Sequence, residues 1–180
     1  AAADSGAAIC LMHMQGEPGS MQAAPHYEDV CAEVQRFLAD RILACQFAGI
    51  DKKRIVIDPG FGFGKTLAHN LELLARLEGF RVLECPLLVG LSRKRSIGEL
   101  TGRQDPVQRV HGSVAAALIA AQRGAVILRV HDVAAGGRLW LTALRHTGRS
   151  RAGLRLGQCL PRRSDPQRCP ATARVAGAFN

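Results

Sequence analysis

Four short apolar runs separate longer stretches of mixed polarity in the first 133 residues of the chain. The runs occupy residues 7–14, 55–57, 86–89 and 125–130, and apolar residues follow one another in them with little alternation. Nearly continuous apolar runs of this length are typical of strands that are buried on both faces of a parallel sheet. We therefore predict four strands at these positions.

Three helices are predicted between these runs, because apolar residues recur there at the spacing of one helical face. The first helix spans about residues 27–48, the second follows the N-cap residue Thr66, and the third begins at Asp105-Pro106 and ends at Gly124. The faces expected to pack on the sheet are made of three sets of residues: Val30, Val34, Phe37, Leu38, Ile42 and Cys45; Leu71, Leu74 and Leu77; and Val107, Val110, Val114, Leu118 and Ala121.

Strands and helices alternate strictly, which predicts an α/β fold with a parallel sheet that helices cover on its outer side. The carboxyl end of each strand leads into polar or glycine-rich sequence, at residues 12–16, 58–60, 90–94 and 129–132. Chemistry at that edge is typical of (β/α)8 barrels and of open doubly wound sheets. The chain holds about four β/α units, whereas a complete barrel takes about 250 residues. We therefore predict a partial TIM (β/α)8 barrel with parallel strands.

Positive charge is concentrated near the end of the chain. Residues 1–133 hold 15 basic and 14 acidic side chains, whereas residues 134–180 hold nine Arg and a single acid, Asp165. We therefore divide the chain into a folded domain, residues 1–133, and an arginine-rich tail, residues 134–180. Because the tail lacks Lys and any sustained helical period, we interpret it as a frameshifted replacement of the last helix. The alternative is disordered sequence that binds nucleic acid.

The composition also bears on location and on metals. No run of eighteen apolar residues predicts a membrane span, and the first residues lack the pattern of a secretion signal. The six cysteines include no C-x-x-C pair, so we expect a reduced chain in the cytoplasm. Cys10 and His13 could ligate zinc, but no second pair at metal-ligand spacing accompanies them. Packing as core side chains is therefore the favoured interpretation.

Asp58 opens the clearest functional motif, D-P-G-F-G-F-G-K, directly after the predicted strand at residues 55–57. A carboxylate next to a buried apolar strand needs a partner, and the alternating glycines allow the backbone to approach a ligand closely. A strand-end cap would explain a single Asp. The whole motif favours a ligand-binding carboxylate, with Phe61 and Phe63 as an aromatic wall.

Basic side chains follow the third and fourth strands. Arg129 and His131 are two residues apart, so their side chains project from the same face of the last strand. Two cations at one strand end favour an anion such as phosphate or pyrophosphate, although an ion pair with Asp132 is the alternative. In the turn after the third strand, one of Arg93 and Lys94 is expected to reach the same pocket and the other to be solvated.

Four motifs lie at residues 11–18, 58–66 with 69–70, 88–94 and 124–133. In their order and spacing, these motifs closely resemble those of bacterial dihydropteroate synthases. The resemblance covers residues 1–133 and corresponds to the fifth to eighth strands of that family's barrel. It implies a transferase of folate biosynthesis, a sulfonamide target, that condenses p-aminobenzoate with 6-hydroxymethyl-7,8-dihydropterin pyrophosphate.

The resemblance also implies which residues bind the pterin. Asp58 would accept hydrogen bonds from the 2-amino pyrimidine edge, while Met12, Phe63 and Gly90 would line the slot around the ring. Lys94 would contact the pterin and lie beside the aminobenzoate ring.

A second group of residues is implied for the remaining substrate and for the leaving group. Ser92 would lie near p-aminobenzoate, and Arg129 and His131 would bind the pyrophosphate. The expected catalytic residues are Lys94, Arg129 and His131. Loss of pyrophosphate leaves positive charge on the pterin methylene, so such a site must neutralise the departing anion and exclude water more than supply a base.

The chain departs from the family pattern in several places. The family's first four strands, which carry an Asn associated with Mg²⁺, have no counterpart in this sequence. We therefore expect Mg²⁺ as a cofactor by resemblance but no metal ligand in this chain, and we expect the chain alone to be inactive. Residues 95–98 read Arg-Ser-Ile-Gly, where the family usually has Ser-Met-Ile-Gly. A homodimer is an expectation for the full-length family only.

Two other functions remain open. A pterin-binding domain of a methyltransferase that uses methyltetrahydrofolate would share the barrel and Asp58. The cations at Lys94, Arg129 and His131 favour a pyrophosphate-releasing enzyme instead. A basic nucleic-acid-binding protein would depend on the tail alone, and we do not expect nucleic acid or a membrane as a partner.

Overall fold

The computed structural model describes residues 2–135 and the backbone of residues 155–158. Within these residues, five strands pair in parallel and in chain order as two sheets, one made of the first two strands and one of the last three. The second and third strands meet at a single bridge between Ile57 and Leu87, where the Ile57 N–H donates to the Pro86 carbonyl at 3.0 Å. The strands are β1 (Ile9–Met12), β2 (Ile55–Asp58), β3 (Leu88–Val89), β4 (Ile127–Val130) and β5 (Arg155–Gln158).

Helices follow the strands, as the alternation predicts. The α-helices are α1 (Val30–Phe47), α2 (Leu67–Ala75), α3 (Arg95–Thr101) and α4 (Val110–Gln122), and short 3-10 turns cover Lys52–Arg54, Leu77–Leu83 and Pro106–Arg109. None of the helices in the described part of the chain has the length and apolar character that a membrane span requires. Sequential parallel strands with connecting helices are the arrangement of a partial (β/α)8 barrel.

Side-chain caps fix the starts of two helices, and one of these caps, Thr66, was predicted from the sequence. Asp29 caps α1, and its carboxylate accepts a hydrogen bond from the Ala32 N–H at 2.9 Å. Thr66 caps α2 as predicted, and its side chain and that of His69 satisfy each other's backbone N–H groups in a capping box. The start of α2 is therefore fixed directly after the glycine-rich motif.

The two faces of the sheet differ in burial. Alternate strand residues project to opposite sides, and Ile57, Val89 and Leu128 project outward, where they are fully buried in one cluster with residues of the helices. On the inner side, Cys10 and Arg129 are exposed. The apolar core therefore lies between the sheet and its helices, and the inner face at the carboxyl ends of the strands is open to a ligand.

The predicted packing face of α4 is wrong. Val107 lies before the helix in a 3-10 turn and is 61% exposed, and Val110, Val114 and Leu118 are only partly buried. The buried residues are small: Ser113, Ala116, Ala117, Ala120 and Ala121. The helix packs closely on the strands through this face of small residues. The spacing of Val and Leu had predicted a different face.

Three further aromatic and leucine positions are corrected. Leu71 is exposed, and the neighbouring Leu73 is fully buried instead, because Asn70 faces inward to bind the glycine turn. Phe37 is 36% exposed, and its ring lies edge-on against the ring of His13. Phe61 is 1% exposed in the core, so it is not a wall of an open pocket.

Strand β5 was not predicted from the sequence. Its backbone pairs in parallel with β4 over four residues, from Ile127–Arg155 to Val130–Gln158. The other residues from 136 to 180 lie outside the described part of the chain, and so does the prediction that the tail is frameshifted or disordered.

We predict that Ala120→Leu destabilises the protein by about 1–3 kcal/mol, because the added methylenes overpack a fully buried position. Ala115→Leu is the matched control on the exposed side of the same helix. It should change the free energy of unfolding by less than about 0.5 kcal/mol. Urea denaturation followed by circular dichroism measures both, and equal effects would mean that α4 does not pack through its alanine face.

Candidate active site

Asp58 is the centre of the candidate site, at the carboxyl end of β2. The residue is 2% exposed, and its carboxylate accepts a hydrogen bond from the Gly60 N–H at 2.8 Å. One guanidinium nitrogen of Arg129 lies 3.8 Å from the second carboxylate oxygen. The structure thus provides the partners that a buried carboxylate requires and brings together two residues that were assigned to the site from the sequence.

Opposing influences act on the ionisation of Asp58. Burial raises the pKa of its carboxyl, whereas the Gly60 hydrogen bond and the positive charges of Arg129, Lys94 and Lys65 lower it. The net direction is upward, because desolvation penalises the charged form most strongly. The surrounding cations are therefore needed to keep this carboxylate available as a hydrogen-bond acceptor.

A glycine turn follows Asp58 and lies directly against the chain after β1. Gly60 has φ +70°, and a Cβ there would lie 1.8 Å from the His13 carbonyl oxygen. Gly64 has φ +59°, and a Cβ there would lie 2.3 Å from the Gln15 carbonyl oxygen. Only glycine fits such close backbone contact at positive φ. The two loops therefore form one unit beside the carboxylate.

Lys94 reaches the same turn, and Arg93 does not. The Lys94 ammonium donates to the Phe61 carbonyl at 2.5 Å and lies 3.9 Å from the centroid of the Phe63 ring, a cation–π contact. Burial lowers the pKa of Lys94 to about 8, although the charge of Asp58 opposes the shift. Arg93 instead forms an ion pair with Asp132 at 2.5 Å.

The prediction that one of these two basic residues enters the pocket is therefore confirmed, with Lys94 as that residue. Arg93 is not simply solvated, since its guanidinium binds both oxygens of Asp132. That ion pair occupies Asp132, and the acidic group that lies near Arg129 is the Asp58 carboxylate of the site itself.

Arg129 and His131, at the end of β4, contact different residues. The Arg129 guanidinium lies over Gly90, where a Cβ would be only 2.9 Å from its terminal nitrogen. His131 contacts Ser92 instead. The Ser92 hydroxyl accepts a hydrogen bond from the backbone N–H of His131 at 3.1 Å and lies 3.1 Å from the ring Nδ1 of His131. Both side chains remain open to solvent, Arg129 with 44% of its side chain exposed. They can therefore receive an anion.

The remaining predicted residue, Met12, pairs with Asp58 across the sheet and lies against the glycine turn. Its Cγ would be 3.4 Å from a Cβ at Gly60. Phe63 stays partly exposed under Lys94. Met12, Phe63 and Lys94 thus lie around the Asp58 carboxylate, an acceptor that suits a planar heterocycle with hydrogen-bond donors at one edge.

Sequence reasoning did not assign Lys65 and Asn70 to the site. Lys65 is 3% exposed, and its ammonium binds two carbonyls of the glycine turn. Asn70 accepts a hydrogen bond from the Gly62 N–H at 2.7 Å. A signal was present, because Lys65 closes the glycine-rich motif and Asn70 lies in the first turns of the helix that follows it.

The described residues do not fit a divalent cation at this site, because the Asp58 carboxylate is surrounded by Arg129, Lys94 and Lys65. Within residues 2–135, one group of three possible ligands lies close together: Asp29, Cys31 and Glu72. The Arg76 guanidinium binds both carboxylates of that group, Asp29 at 3.2 Å and Glu72 at 2.8 Å. A metal ion would have to displace it.

Comparisons with known proteins agree with this geometry. The family model for pterin-binding enzymes matches residues 1–131. The chain is 56% identical over 133 residues to the dihydropteroate synthase of Escherichia coli (strain K12), a match that covers 74% of this chain and 47% of the relative.

Solved structures show the same similarity. The dihydropteroate synthase of Stenotrophomonas maltophilia is 60% identical with a TM-score of 0.75, covering 82% of this chain and 54% of that one. The Xanthomonas albilineans enzyme in complex with 7,8-dihydropteroate is 59% identical with a TM-score of 0.71, covering 78% and 50%. These neighbours are TIM barrels, which confirms the predicted partial barrel. The chain spans about half the length of the relatives that it matches.

We predict that Gly60→Ala destabilises the protein more than Gly102→Ala does. Both glycines have nearly the same positive φ, +70° and +67°, so each alanine carries a similar backbone strain of about 1–2 kcal/mol. Only at Gly60 does the new methyl group collide with a backbone carbonyl, whereas the space at Gly102 is empty to 4 Å. Denaturant midpoints compare the two variants, and equal losses would contradict the close contact between the two loops.

Proposed function

Because the chain belongs to the family of pterin-binding enzymes, we propose that it forms the pterin- and pyrophosphate-binding side of a dihydropteroate synthase. The reaction joins p-aminobenzoate to 6-hydroxymethyl-7,8-dihydropterin pyrophosphate and releases pyrophosphate in folate biosynthesis. The observation that carries this proposal is a buried carboxylate, Asp58, within 3.8 Å of an accessible guanidinium, Arg129. The carboxylate suits the heterocycle, and the guanidinium suits the pyrophosphate leaving group.

Asp58 binds the pterin in this proposal. The carboxylate accepts from the two N–H donors of the pyrimidine edge, and burial strengthens both hydrogen bonds by excluding water. Phe63 and Met12 then lie along the faces of the ring. Lys94, which already donates to the Phe61 carbonyl, closes the slot from the side of β3.

Arg129 and His131 bind the pyrophosphate. The amine nitrogen of p-aminobenzoate forms a bond to the pterin methylene carbon while the bond from that carbon to the pyrophosphate oxygen breaks. The two bonding electrons leave with the pyrophosphate, and the amine loses its proton to solvent. Positive side chains at the end of β4 stabilise the charge that develops on the leaving oxygen.

Ser92 contributes by holding His131 at the end of β4. We also assign p-aminobenzoate to the space beside Lys94 and Ser92. The complex of the Xanthomonas albilineans enzyme with 7,8-dihydropteroate supports this assignment, because that ligand contains both the pterin and the aminobenzoate parts.

The alternative functions are less well supported. The curated and solved relatives reported above are dihydropteroate synthases rather than methyltransferases. Nucleic-acid binding would depend on the tail, which lies outside the described residues apart from the backbone of β5.

Several parts of the proposal concern the whole protein. Catalysis requires the half of the barrel that this chain does not match, and Mg²⁺ would have to be held there, so no step is derived through it. A homodimer and a cytoplasmic location rest on the family resemblance.

We predict that Asp58→Asn and His131→Ala weaken the binding of different parts of the pterin pyrophosphate. In a complete barrel made by placing residues 1–133 between the amino-terminal half and the last helix of the Stenotrophomonas maltophilia enzyme, Asp58→Asn should weaken the binding of 6-hydroxymethylpterin by about 2–4 kcal/mol. The amide can accept from only one of the two donors. His131→Ala should weaken the binding of the pterin pyrophosphate and leave the binding of 6-hydroxymethylpterin nearly unchanged, because only the pyrophosphate anion loses a partner.

Titration calorimetry with both ligands measures these effects, and His111→Ala on the exposed side of α4 is the matched control. Unchanged pterin affinity in Asp58→Asn would remove that residue from the site. Equal losses of both ligands in His131→Ala would mean that the histidine supports the pocket rather than the pyrophosphate.

A further inference from the structure

Lys65 is a buried cation with a complete set of hydrogen-bond partners. Its ammonium lies 2.9 Å from the Nδ1 of His13, 3.0 Å from the Gly60 carbonyl oxygen and 3.1 Å from the Phe63 carbonyl oxygen. An ammonium has three N–H donors, so all of them are used. Because its side chain is buried and all three donors have partners, Lys65 has no donor left for a substrate.

The three acceptors belong to two different loops. Gly60 and Phe63 lie at the two ends of the glycine turn after β2, and His13 lies directly after β1. The His13 N–H also donates to the Asp58 carbonyl at 3.1 Å. One side chain therefore joins the ends of the turn to each other and to the neighbouring strand.

Other side chains hold the middle and the end of the same turn. The Tyr27 hydroxyl donates to the Gly64 carbonyl at 2.8 Å, and the Gln22 amide donates to the Gly62 carbonyl at 2.6 Å. These contacts lie at the outer part of the turn. Lys65 alone among the described side chains binds the carbonyls of both Gly60 and Phe63.

The positions of the ligand-binding groups depend on this turn. The Gly60 N–H binds the Asp58 carboxylate, the Phe63 ring lies under Lys94, and the Phe61 carbonyl accepts from the Lys94 ammonium. A shift of the turn would therefore move an acceptor, a ring and a cation of the slot together.

We propose that Lys65 is a positioning residue of the pterin site, which fixes the glycine turn against β1 and supplies a buried positive charge behind Asp58. This inference rests on the proposed function for its ligand, and its structural part stands without it. Lys65 does not touch the substrate, and its effect is transmitted through Gly60, Phe63 and the field at the Asp58 carboxylate.

The electrostatic part follows from the groups around Asp58. Lys94, Arg129 and Lys65 all favour its ionised form. Further titratable side chains near Asp58 or Lys65 are Cys10 on β1, His13 and Tyr27. Burial lowers the pKa of Lys65 to about 7, although Asp58 opposes the shift. Burial and the charge of Lys65 lower the pKa of His13 to about 4, so its ring is a neutral acceptor near neutral pH. Below about pH 7 Lys65 is therefore charged and adds to the stabilisation of the Asp58 carboxylate.

The test compares Lys65→Met with Lys53→Met in the full 180-residue chain. Methionine keeps much of the length and apolar surface of lysine but has no donor or charge, and Lys53 is an exposed lysine outside the site. Amide hydrogen exchange should become on the order of tenfold faster at residues 60–64 in Lys65→Met, while α4 and β4 keep their protection. Lys53→Met should leave the turn unchanged.

A second variant covers the case in which Lys65→Met does not fold. His13→Phe keeps an aromatic ring against Phe37 and removes one of the three acceptors of Lys65. It should give a smaller acceleration at the same residues. Unchanged exchange at residues 60–64 in a folded Lys65→Met or His13→Phe variant would overturn the positioning role, whether or not the protein binds a pterin.

The charge is tested by titrating 6-hydroxymethylpterin from pH 5 to 8 against wild type and variants of the completed barrel that is used for the calorimetry, because the 180-residue chain matches only half of a barrel. Pterin affinity requires an ionised Asp58, so it should fall as the pH drops through the pKa of that carboxyl. Loss of the Lys65 charge should move this fall to higher pH, so that below the pKa of that carboxyl the affinity is up to about tenfold lower than that of wild type, equivalent to a shift of one pKa unit. A purely structural role would lower affinity equally at every pH and would overturn the electrostatic part. No pterin binding by wild type would reject the proposed function, whereas the exchange result would still decide the positioning role.

Discussion

The burial of one ionisable group, the Asp58 carboxylate, is the constraint on which the rest of the site depends. Removing a carboxylate from water costs several kcal/mol unless hydrogen bonds and opposite charges replace the solvent. This chain supplies the Gly60 N–H as a donor and places Arg129, Lys94 and Lys65 around the carboxylate. Since Arg129 lies on β4 and the two lysines follow β2 and β3, the parallel order of the strands is what brings these cations together.

The glycine turn connects that electrostatic requirement to the shape of the slot. Its backbone lies so close to the loop after β1 that side chains at Gly60 and Gly64 would collide with carbonyl oxygens. Close packing of two loops leaves the Phe63 ring and the Lys94 ammonium in contact over the space next to Asp58. The same residues thus exclude water and present an acceptor, which is the combination that a planar, hydrogen-bonding heterocycle requires.

Features that depend on local patterns could be predicted from the sequence. The apolar run before Asp58, the Thr66 cap and the alternation of strands and helices each have a direct local cause, and the structure contains all three. The contacts of α4 could not be predicted, because alanine carries little periodic signal and the distance from helix to sheet decides which face packs. The residue pattern alone left the choice between Arg93 and Lys94 open, because it depends on where Asp132 lies, and only the family resemblance assigned Lys94. The role of Lys65 depends on its contact with the loop after β1. A motif within one segment of the sequence does not show a contact with another loop.

The most direct test of the account is the response of the Asp58 carboxyl to a pterin. Carbon-13 labelling of aspartate allows its carboxyl resonance to be followed by NMR and assigned through its loss in Asp58→Asn. The account predicts an ionised carboxylate at pH 8 whose resonance shifts as 6-hydroxymethylpterin is added to saturation. A resonance that stays unchanged at saturating pterin, or a carboxyl that is protonated at pH 8, would contradict it.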